Sequence, residues 1–349
     1  MSPITFKSVT LKNRIGVSPM CQYSCIDGFA TDWHLVHLGS RAVGGAALIM
    51  QEATAVSAEG RITYGDLGIW ADDHILKLRS ITNFIHQNGA IAGIQLAHAG
   101  RKASCEKSWL GGHQLKEGEH SWKTVATSAI PFKPTDLPPH ELSIFEIANI
   151  VAEFKAAAAR SFKAGYKIIE IHAAHGYLIH QFLSPLGNTR SDKYGGCFEN
   201  RILFLIEILQ AIQAIWPEEL PIFVRISATD WVEGGWDIED SVKLSNQLKA
   251  MGVSLIDCSS GGAVMDAKIT AAPGFQVGFA ARIKADAEIA TAAVGLITEA
   301  SQAEAILQEN RADFIFLGRE LLRSPYWPLH AAAELKQDIE WPAQYARAK

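Results

Sequence analysis

Cysteine, an excess of positive charge and long apolar runs are the scarce features of this 349-residue chain. Its five cysteines are an odd number without CxxC spacing, which argues against a disulfide framework and against a cysteine-based zinc site. The 32 Lys and Arg residues face 37 Asp and Glu, giving a net charge of −5, so nucleic-acid binding is a poor first hypothesis. No apolar run approaches the roughly 18 residues that a membrane span needs.

The amino-terminal sequence also lacks a charged segment followed by an apolar run, which is the pattern of a signal peptide. We therefore expect a cytoplasmic protein with neither a nucleic-acid nor a membrane partner. The apolar share of 48% is enough for a large core and excludes a disordered or fibrous chain.

One pattern repeats along the chain: a short apolar run, a polar or glycine-containing turn, and an amphipathic helix. Eight strands alternating with helices fit a (β/α)8 barrel, and a doubly wound sheet is the second choice because it rarely needs eight units. We predict a single barrel domain over residues 1–349. The predicted strands are Ile15–Pro19, Ala46–Gln51, Ile91–Leu96, Lys167–His172, Ile222–Ser227, Ser254–Cys258, Ile289–Val294 and Phe314–Leu317.

Capping signals mark the helices between these strands. Ser143 and Glu146 form a capping box ahead of an amphipathic segment, and Gly165 stands where a C′ glycine would end that helix. Ser301 and Glu304 predict a second capping box.

Residues 104–140 are rich in Gly, His, Trp, Lys and Pro and have no strong periodicity. We predict that they form a long loop over the barrel mouth rather than a second domain.

Polar side chains stand at the ends of several predicted strands, where barrels place their functional residues. Period-two alternation directs Glu170, His172 and Arg225 toward the barrel axis. A guanidinium buried there needs an anionic partner. Glu170 is one candidate for that partner and an anionic ligand is the other, and the alternation alone does not choose between them.

His172 and His175 follow the fourth predicted strand and are trailed by Gly176 and Tyr177. The spacing of the two histidines suits a metal pair, as in zinc hydrolases built on barrels, and it equally suits two N–H donors that converge on one substrate oxygen. No obvious further ligands favour the metal. Tyr177 favours the donors, because its phenolic O–H would lie near the same substrate.

The loops after the last two strands predict a phosphate site. Gly295 follows strand seven, and Gly318 with Arg319 follows strand eight. Barrels commonly bind phosphate at this place through backbone N–H groups, and an arginine adds a charge that can pair bidentately.

Several motifs along the chain occur in a recognisable order: Ser18 through Tyr23, Gln95 through Lys102, Glu170 through Tyr177, Asn188 through Gly196, Glu199 through Arg201, and Phe316 through Leu322. Together they resemble the old yellow enzyme family of flavin ene-reductases, most closely its thermophilic-like branch of xenobiotic reductases and NADPH dehydrogenases. The resemblance covers nearly the whole chain and implies a (β/α)8 barrel that binds FMN across its mouth.

The resemblance implies a role for each residue at the flavin. Gln95 would hydrogen-bond the pyrimidine end of the ring, and Arg225 would lie near N1 and O2, which would supply the missing anion. The full set of implied cofactor-binding residues is Ser18, Pro19, Met20, Cys21, Ala53, Gln95, Arg225, Ser260, Gly295, Gly318 and Arg319.

The resemblance also implies the chemistry. NADPH, with NADH as the alternative, would reduce the flavin, and flavin N5 would pass hydride to the β-carbon of an α,β-unsaturated carbonyl compound, with nitro compounds and quinones as further substrates. His172 and His175 would hold the substrate oxygen, and Tyr177 would protonate the α-carbon. Tyr23 would shape the substrate pocket.

Other residues at the implied site carry open alternatives. Cys21 would tune the flavin potential, or else it is a small buried hydrophobe. Lys102 could form a Schiff base, but its neighbour Arg101 favours a solvated or cofactor-contacting amine, and we place Lys102 among the substrate-binding residues. Arg347, in the tail 341–349, would enter the site of a neighbouring subunit in a homodimer or homotetramer.

Overall fold

Eight of the chain's strands, nearly all of whose residues are buried, close into a parallel barrel in the computed structural model, which describes all 349 residues. The strands are β1 (Ile4–Phe6), β2 (Val9–Leu11), β3 (Ile15–Val17), β4 (Leu48–Ala55), β5 (Ile91–Ala97), β6 (Val125–Ala126), β7 (His140–Glu141), β8 (Ile168–Ala173), β9 (Ile222–Ser227), β10 (Leu255–Ser259), β11 (Thr291–Ala293) and β12 (Phe314–Leu317). The barrel order is β10-β11-β12-β3-β4-β5-β8-β9, which confirms the (β/α)8 prediction.

Helices connect the barrel strands on the outside. They are α1 (Asp32–Val43), α2 (His74–Gln87), α3 (Ile144–Lys163), α4 (Leu178–Leu183), α5 (Phe198–Gln213), α6 (Ile238–Ala250), α7 (Val277–Ala287), α8 (Ala300–Gln308), α9 (Arg319–Arg323) and α10 (Trp327–Glu334). No helix combines the length and the apolar character that crossing a membrane requires.

The predicted strands all exist, but their ends differ in two informative places. The second predicted strand, β4, continues to Ala55, beyond the predicted end at Gln51, because a bulge between Gln51 and Ala53 lets the pairing with β5 resume. The seventh predicted strand, β11, keeps only Thr291–Ala293 of the predicted Ile289–Val294.

One of the two predicted capping boxes is present. The Ser143 hydroxyl accepts a hydrogen bond from the Glu146 amide at 3.3 Å, and the Glu146 carboxylate accepts one from the Ser143 amide at 2.7 Å. Helix α3 therefore begins as predicted. The prediction of a Ser301 capping box is wrong, because the N-cap of α8 is Glu299, two residues earlier, and the helix begins at Ala300. Ser301 therefore lies inside the helix, where it cannot take the extended backbone of a cap.

An amino-terminal hairpin of β1 and β2, which the apolar pattern did not reveal, covers the amino-terminal end of the barrel. The Phe6 ring meets Phe223 edge-on at a centroid distance of 5.1 Å, and the Ser8 amide donates to Glu219 O at 3.1 Å. Phe223 lies two residues before Arg225 on β9 and faces the same barrel interior. The hairpin thus seals the barrel with an apolar plug.

Residues 104–140 contain only a single 3₁₀ turn (Ser108–Leu110) and the two-residue strand pair β6 with β7. The loop is fastened to the segment after β4: Trp122 Nε1 donates to Glu59 O at 2.9 Å, and the Arg61 guanidinium lies between the rings of Trp70 and Trp122, at 5.3 and 5.0 Å from their centroids.

Candidate active site

Arg225 reaches the barrel interior from β9, as alternation predicts, and is 6% exposed. Its partner is Asp257 on the neighbouring β10, with Arg225 Nε 3.2 Å from Asp257 Oδ2. The contact is an ion pair rather than an aligned hydrogen bond, since both Asp257 oxygens and Arg225 Nε lack hydrogen-bond partners. Arg225 Nη1 donates to Ser18 Oγ at 3.2 Å. Glu170, one of the two candidate partners that the sequence left open, is not the residue that pairs with Arg225.

Glu170 instead accepts a hydrogen bond from Gln95 Nε2 at 2.7 Å, across the β5–β8 pair. Burial, followed by the charge of Asp257, raises the pKa of the Glu170 carboxyl above its usual range. Its second oxygen is buried without a partner. The barrel axis below the mouth therefore contains polar groups that the protein alone does not satisfy.

The structure brings His172 and His175 together at the carboxyl end of β8. Their ring centroids are 5.1 Å apart, and His172 Nε2 lies 3.4 Å from His175 Nδ1. The Ala174 amide donates to His172 Nδ1 at 3.3 Å, which places the proton of a neutral His172 on Nε2. His175 Nε2 lies 2.6 Å from Ser259 Oγ.

Both imidazoles are neutral in this environment. Burial, followed by the charge of Arg225, lowers the pKa of His172 and of His175 well below the usual histidine value. A neutral imidazole carries one N–H, so each ring can give one hydrogen bond to a ligand. No group of three or more His, Cys, Asp or Glu side chains is arranged to hold a metal ion.

Tyr177 packs edge-on against His172 at a centroid distance of 5.0 Å. Burial raises its pKa well above the ordinary tyrosine value, so the phenol keeps its proton. Tyr23 and Tyr177 both line a cavity of about 170 Å³, whose other walls include Lys102, Cys105 and Phe132 of the long-loop region. The two tyrosines predicted from separate parts of the sequence thus face one space.

Lys102 lies at this cavity with its amine already occupied. Lys102 Nζ donates to His175 O at 2.8 Å and to Gly262 O at 3.2 Å, and it stands 4.2 Å from the centre of the Phe132 ring. Burial, followed by the charge of Arg101, lowers the pKa of Lys102 to about 8. In this arrangement the side chain ties two mouth loops together.

The segment after β3 carries Ser18 through Tyr23 at the mouth. Ser18 is buried and continues the barrel pairing through a hydrogen bond from its amide to Leu317 O at 3.0 Å. Cys21 is half-buried, and burial, followed by the charge of Asp66, raises the pKa of its thiol, so Cys21 is a thiol rather than a thiolate.

The predicted phosphate residues stand at adjacent strand ends. Gly295 follows β11 with φ of 120°, and Gly318 follows β12 as the N-cap of α9. A Cβ on Gly318 would lie 3.6 Å from Met20 Sδ, so this glycine adjoins the segment after β3. Arg319 is exposed and Ser260 is buried, its hydroxyl donating to Gln276 Oε1 at 2.6 Å.

These residues fit a cofactor with an anionic planar ring and a phosphate, such as FMN. Glu170 Oε2 is buried without a hydrogen-bond partner, and Arg225 Nε has its ion pair with Asp257 but no aligned hydrogen bond, so both side chains keep unmet hydrogen-bonding capacity in the barrel interior. Gly318 leaves backbone approachable next to Ser18 and Met20, and Gly295 stands at the neighbouring strand end next to Gln276 and Phe275. Ala53 contributes to the same rim from the bulged end of β4, and Pro19 is half-buried beside Ser18.

Several residues around the mouth were missed from the sequence. Asp257 had a usable signal, because it occupies an inward position of its strand, in register with Arg225 on β9. Ser259, which contacts His175, follows at the next inward position of that strand. Glu52 and His180 also contact mouth loops, through the amides of Gln22 and Gly176. Nothing in the sequence pattern pointed to them, because Glu52 lies inside a strand and His180 inside a helix.

Comparison with known proteins identifies the family to which this chain belongs. The profile of the NADH:flavin oxidoreductase / NADH oxidase family matches residues 1–338. Morphinone reductase in complex with tetrahydroNAD superimposes with a TM-score of 0.80 at 25% identity, over 98% of this chain and 92% of that one. The old yellow enzyme homologue from Zymomonas mobilis gives 0.79 at 25% identity, over 97% and 93%.

A larger enzyme shares the same fold. A 2-naphthoyl-CoA reductase superimposes with a TM-score of 0.86 at 26% identity, over 96% of this chain but only 52% of that chain. The present chain therefore spans about half the length of that enzyme.

Fold and profile together define a flavin-dependent oxidoreductase built on a (β/α)8 barrel. Within that class, the chain belongs to the old yellow enzyme family, and the family implies FMN with a nicotinamide reductant.

Proposed function

We propose that this protein is an FMN-dependent NAD(P)H ene-reductase that reduces α,β-unsaturated carbonyl compounds, and that NADPH is the preferred reductant. The observation that carries the proposal is the pair of neutral imidazoles, His172 and His175, beside the protonated phenol of Tyr177 at the mouth. Nitro compounds and quinones are further candidate substrates, because they also present an oxygen that gains negative charge during reduction.

When bound, FMN supplies the hydride chemistry, with N5 accepting hydride from the nicotinamide and passing it to the β-carbon of the substrate. His172 and His175 hold the substrate oxygen by turning their N–H groups from each other, and from Ser259, toward it. A preorganised donor at a developing oxyanion is typically worth ~2.7–4 kcal/mol. Because both rings are neutral, the stabilisation comes from hydrogen bonding rather than from a full positive charge.

Tyr177 completes the reaction by giving its phenolic proton to the α-carbon. Its raised pKa keeps the proton available at neutral pH. Tyr23, on the same cavity, shapes the pocket and contacts the substrate, with Lys102 at its edge.

The proposed cofactor contacts rest on the family resemblance, and the placement of these residues around the mouth supports them. Gln95 and Arg225 would bind the pyrimidine end of the flavin, Cys21 would tune its potential as a neutral thiol, and Gly295, Gly318 and Arg319 would hold the phosphate. The remaining contacts are Ser18, Pro19, Met20, Ala53 and Ser260.

The absorption spectrum of freshly purified protein tests the class of reaction. We expect flavin bands that bleach anaerobically with NADPH and return on addition of cyclohexenone. A colourless protein that contains stoichiometric zinc would contradict the proposal and favour a barrel hydrolase built on His172 and His175.

Arg225→Ala tests the cofactor assignment. We expect weaker FMN binding or slower flavin reduction by NADPH, measured by ultrafiltration of the flavin and by stopped-flow absorbance. If both values match the parent, Arg225 serves only as the ion-pair partner of Asp257.

The proposed assembly is a homodimer or homotetramer in which Arg347 enters a neighbouring site. Arg347 lies in the exposed 3₁₀ segment Ala343–Ala348. Arg347→Ala should raise KM for the enone in the oligomer, and light scattering reports whether the assembly survives.

A further inference from the structure

The loop that carries Cys21 and Tyr23 is held at the residue between them. The Gln22 amide donates to Glu52 Oε2 at 2.6 Å, and Glu52 is 3% exposed. Tyr23 has a left-handed φ of 47°, which a non-glycine residue keeps only where its surroundings enforce it. The Glu52 contact is therefore a restraint on the conformation that presents Tyr23 to the cavity.

Behind Glu52 stands a buried histidine that orients it. Glu52 Oε1 lies 3.1 Å from His34 Nε2, and the Thr31 amide donates to His34 Nδ1 at 3.0 Å. Since Nδ1 accepts, the imidazole proton lies on Nε2, which faces both the Glu52 carboxylate and Cys25 Sγ, the latter at 3.3 Å. One carboxylate oxygen is thus fixed by His34 and the other is left for the loop amide.

The loop that carries His175 and Tyr177 is held in the same way. The amide of the intervening Gly176 donates to His180 Nδ1 at 2.8 Å, and His180 is fully buried in α4. His175 has a left-handed φ of 60° and Gly176 one of 73°. A Cβ at position 176 would lie 2.0 Å from Gly262 O, so only glycine fits where the loop passes its neighbour.

Behind His180 stands a buried carboxylate. Asp230 Oδ1 lies 3.0 Å from His180 Nε2, while Ser184 Oγ and the Trp236 amide donate to Asp230 Oδ2 at 2.6 and 2.8 Å. Burial acts to raise the pKa of Asp230, but His180 and these donors outweigh it, and the pKa is lowered. The charged carboxylate favours the His180 proton on Nε2 by its charge alone, since His180 Nε2 and Asp230 Oδ1 both lack aligned hydrogen-bond partners, while Nδ1 accepts from the Gly176 amide.

We propose that His34–Glu52 and His180–Asp230 are positioning pairs, each of which fixes one active-site loop at the amide between its two site side chains. The inference rests on the proposed function, because it assigns both pairs a value in placing those side chains against flavin and substrate. Neither pair touches the cavity itself, and both act through backbone. A carboxylate that sets the tautomer of a histidine, which in turn orients a functional group, is the arrangement that supports many metal and catalytic sites.

The first test compares His180→Leu with His180→Asn in the FMN-loaded protein. Leucine removes the acceptor for the Gly176 amide, whereas the side-chain oxygen of asparagine replaces Nδ1. We expect His180→Leu to retain FMN and to weaken binding of p-hydroxybenzaldehyde, read from its charge-transfer band, by about 10–100-fold, the usual cost of losing a partner that orients a site residue. His180→Asn should recover most of the affinity.

His86→Leu is the matched control. His86 contacts Ala90 O at 3.2 Å and Gly165 O at 3.0 Å, ahead of β5 and β8, at the end of the barrel opposite to both loops. We expect it to lower the unfolding temperature without changing phenol affinity. Equal losses of affinity in His86→Leu and His180→Leu would overturn the proposal, as would unchanged affinity in His180→Leu. Should His180→Leu fail to fold, Asp230→Asn gives the same test, because it removes the charge that sets the His180 tautomer.

The second test addresses the other loop. Glu52→Leu should shift the midpoint potential of bound FMN and the alkylation rate of the Cys21 thiol, because Cys21 moves. Glu52→Gln, which can still offer an oxygen to the Gln22 amide, should return both values toward the parent. Parental values in Glu52→Leu would overturn this half of the proposal. A parent protein that binds neither FMN nor the phenol would instead overturn the proposed function itself.

Discussion

The two ends of the barrel differ in what fills their interior: apolar rings at one end and buried polar groups at the other. At the amino-terminal end, apolar rings fill the interior: Phe6 meets Phe223 at 5.1 Å, and Phe314 meets Phe316 at 5.3 Å across the space that Gly16 leaves open. At the mouth, buried charged groups stand with unmet hydrogen bonds. Buried polar groups without partners lower the free energy of unfolding. The packed apolar end therefore offsets the stability that is lost at the functional end.

The largest effect should come from breaking the apolar end. Phe223→Ala removes a fully buried ring below the site, and we expect a loss of about 3–5 kcal/mol in the free energy of unfolding. Urea denaturation measures it. The affinity for FMN should stay at the parental value, and Phe145→Ala, at a side chain that is 74% exposed, should change stability by no more than about 0.5 kcal/mol. A loss of flavin affinity with unchanged stability would reverse the comparison.

Substitutions at the mouth should instead weaken ligand binding and catalysis. The double variant His172→Ala/His175→Ala should keep FMN but bind phenols weakly and reduce enones more slowly, by roughly 10²–10³-fold for each donor lost. Absorbance titration and steady-state kinetics measure these effects, with the exposed His330→Ala as control. Phenol binding as tight as in the parent would show that the imidazoles do not hold the ligand oxygen.

An intermediate effect should appear in the pH dependence of the free energy of unfolding, through the Asp66 carboxyl. Burial raises the pKa of Asp66 to about 7, against the donors at Ile62 and Thr63 that lower it. The native protein then holds a proton that the unfolded chain, with a carboxyl pKa of about 3.9, has released. The free energy of unfolding should therefore fall as pH rises from about 4 to 7.

Asp66→Asn removes this ionisation, so the variant should lose less stability between pH 5 and pH 8 than the parent does. Thermal unfolding at several pH values gives the comparison. Asp72→Asn is the control, because the hydrogen bond from Arg160 lowers the pKa of Asp72 and places its titration outside this range. Parallel curves for Asp66→Asn and the parent would contradict the prediction.

The smallest effect lies on the outside of the barrel. Ser143→Ala removes the cap of α3 and should cost about 1 kcal/mol of stability with no change in ligand binding. Ser80→Ala, at an exposed position inside α2, should cost nothing, because alanine is the better helix former. Equal costs at the two serines would show that the capping box contributes no stability.

Sequence reasoning reached the fold but not all of the site. Alternation on β8 and β9 directed Glu170 and Arg225 inward, yet it could not say that Arg225 would meet Asp257 on the other neighbouring strand. It named Lys102 as a substrate residue, and the folded chain places Lys102 on the wall of the cavity, but only the structure shows that its amine also donates to two backbone oxygens. Contacts of this kind depend on which loops converge, and the sequence does not encode that locally.

The order of apolar runs, helix signals and motifs determined by itself that the chain would close into an eight-stranded barrel with polar strand ends at one mouth. Those features follow from periodicity, which is local. Tertiary structure alone decided that Glu52, inside a strand, would accept from the Gln22 amide 30 residues away. It also placed Asp230 behind His180, which accepts from the Gly176 amide in the loop just ahead of its own helix. The left-handed conformations of Tyr23 and His175 are unfavourable for those residues in isolation, and the contacts that enforce them exist only when the barrel has closed.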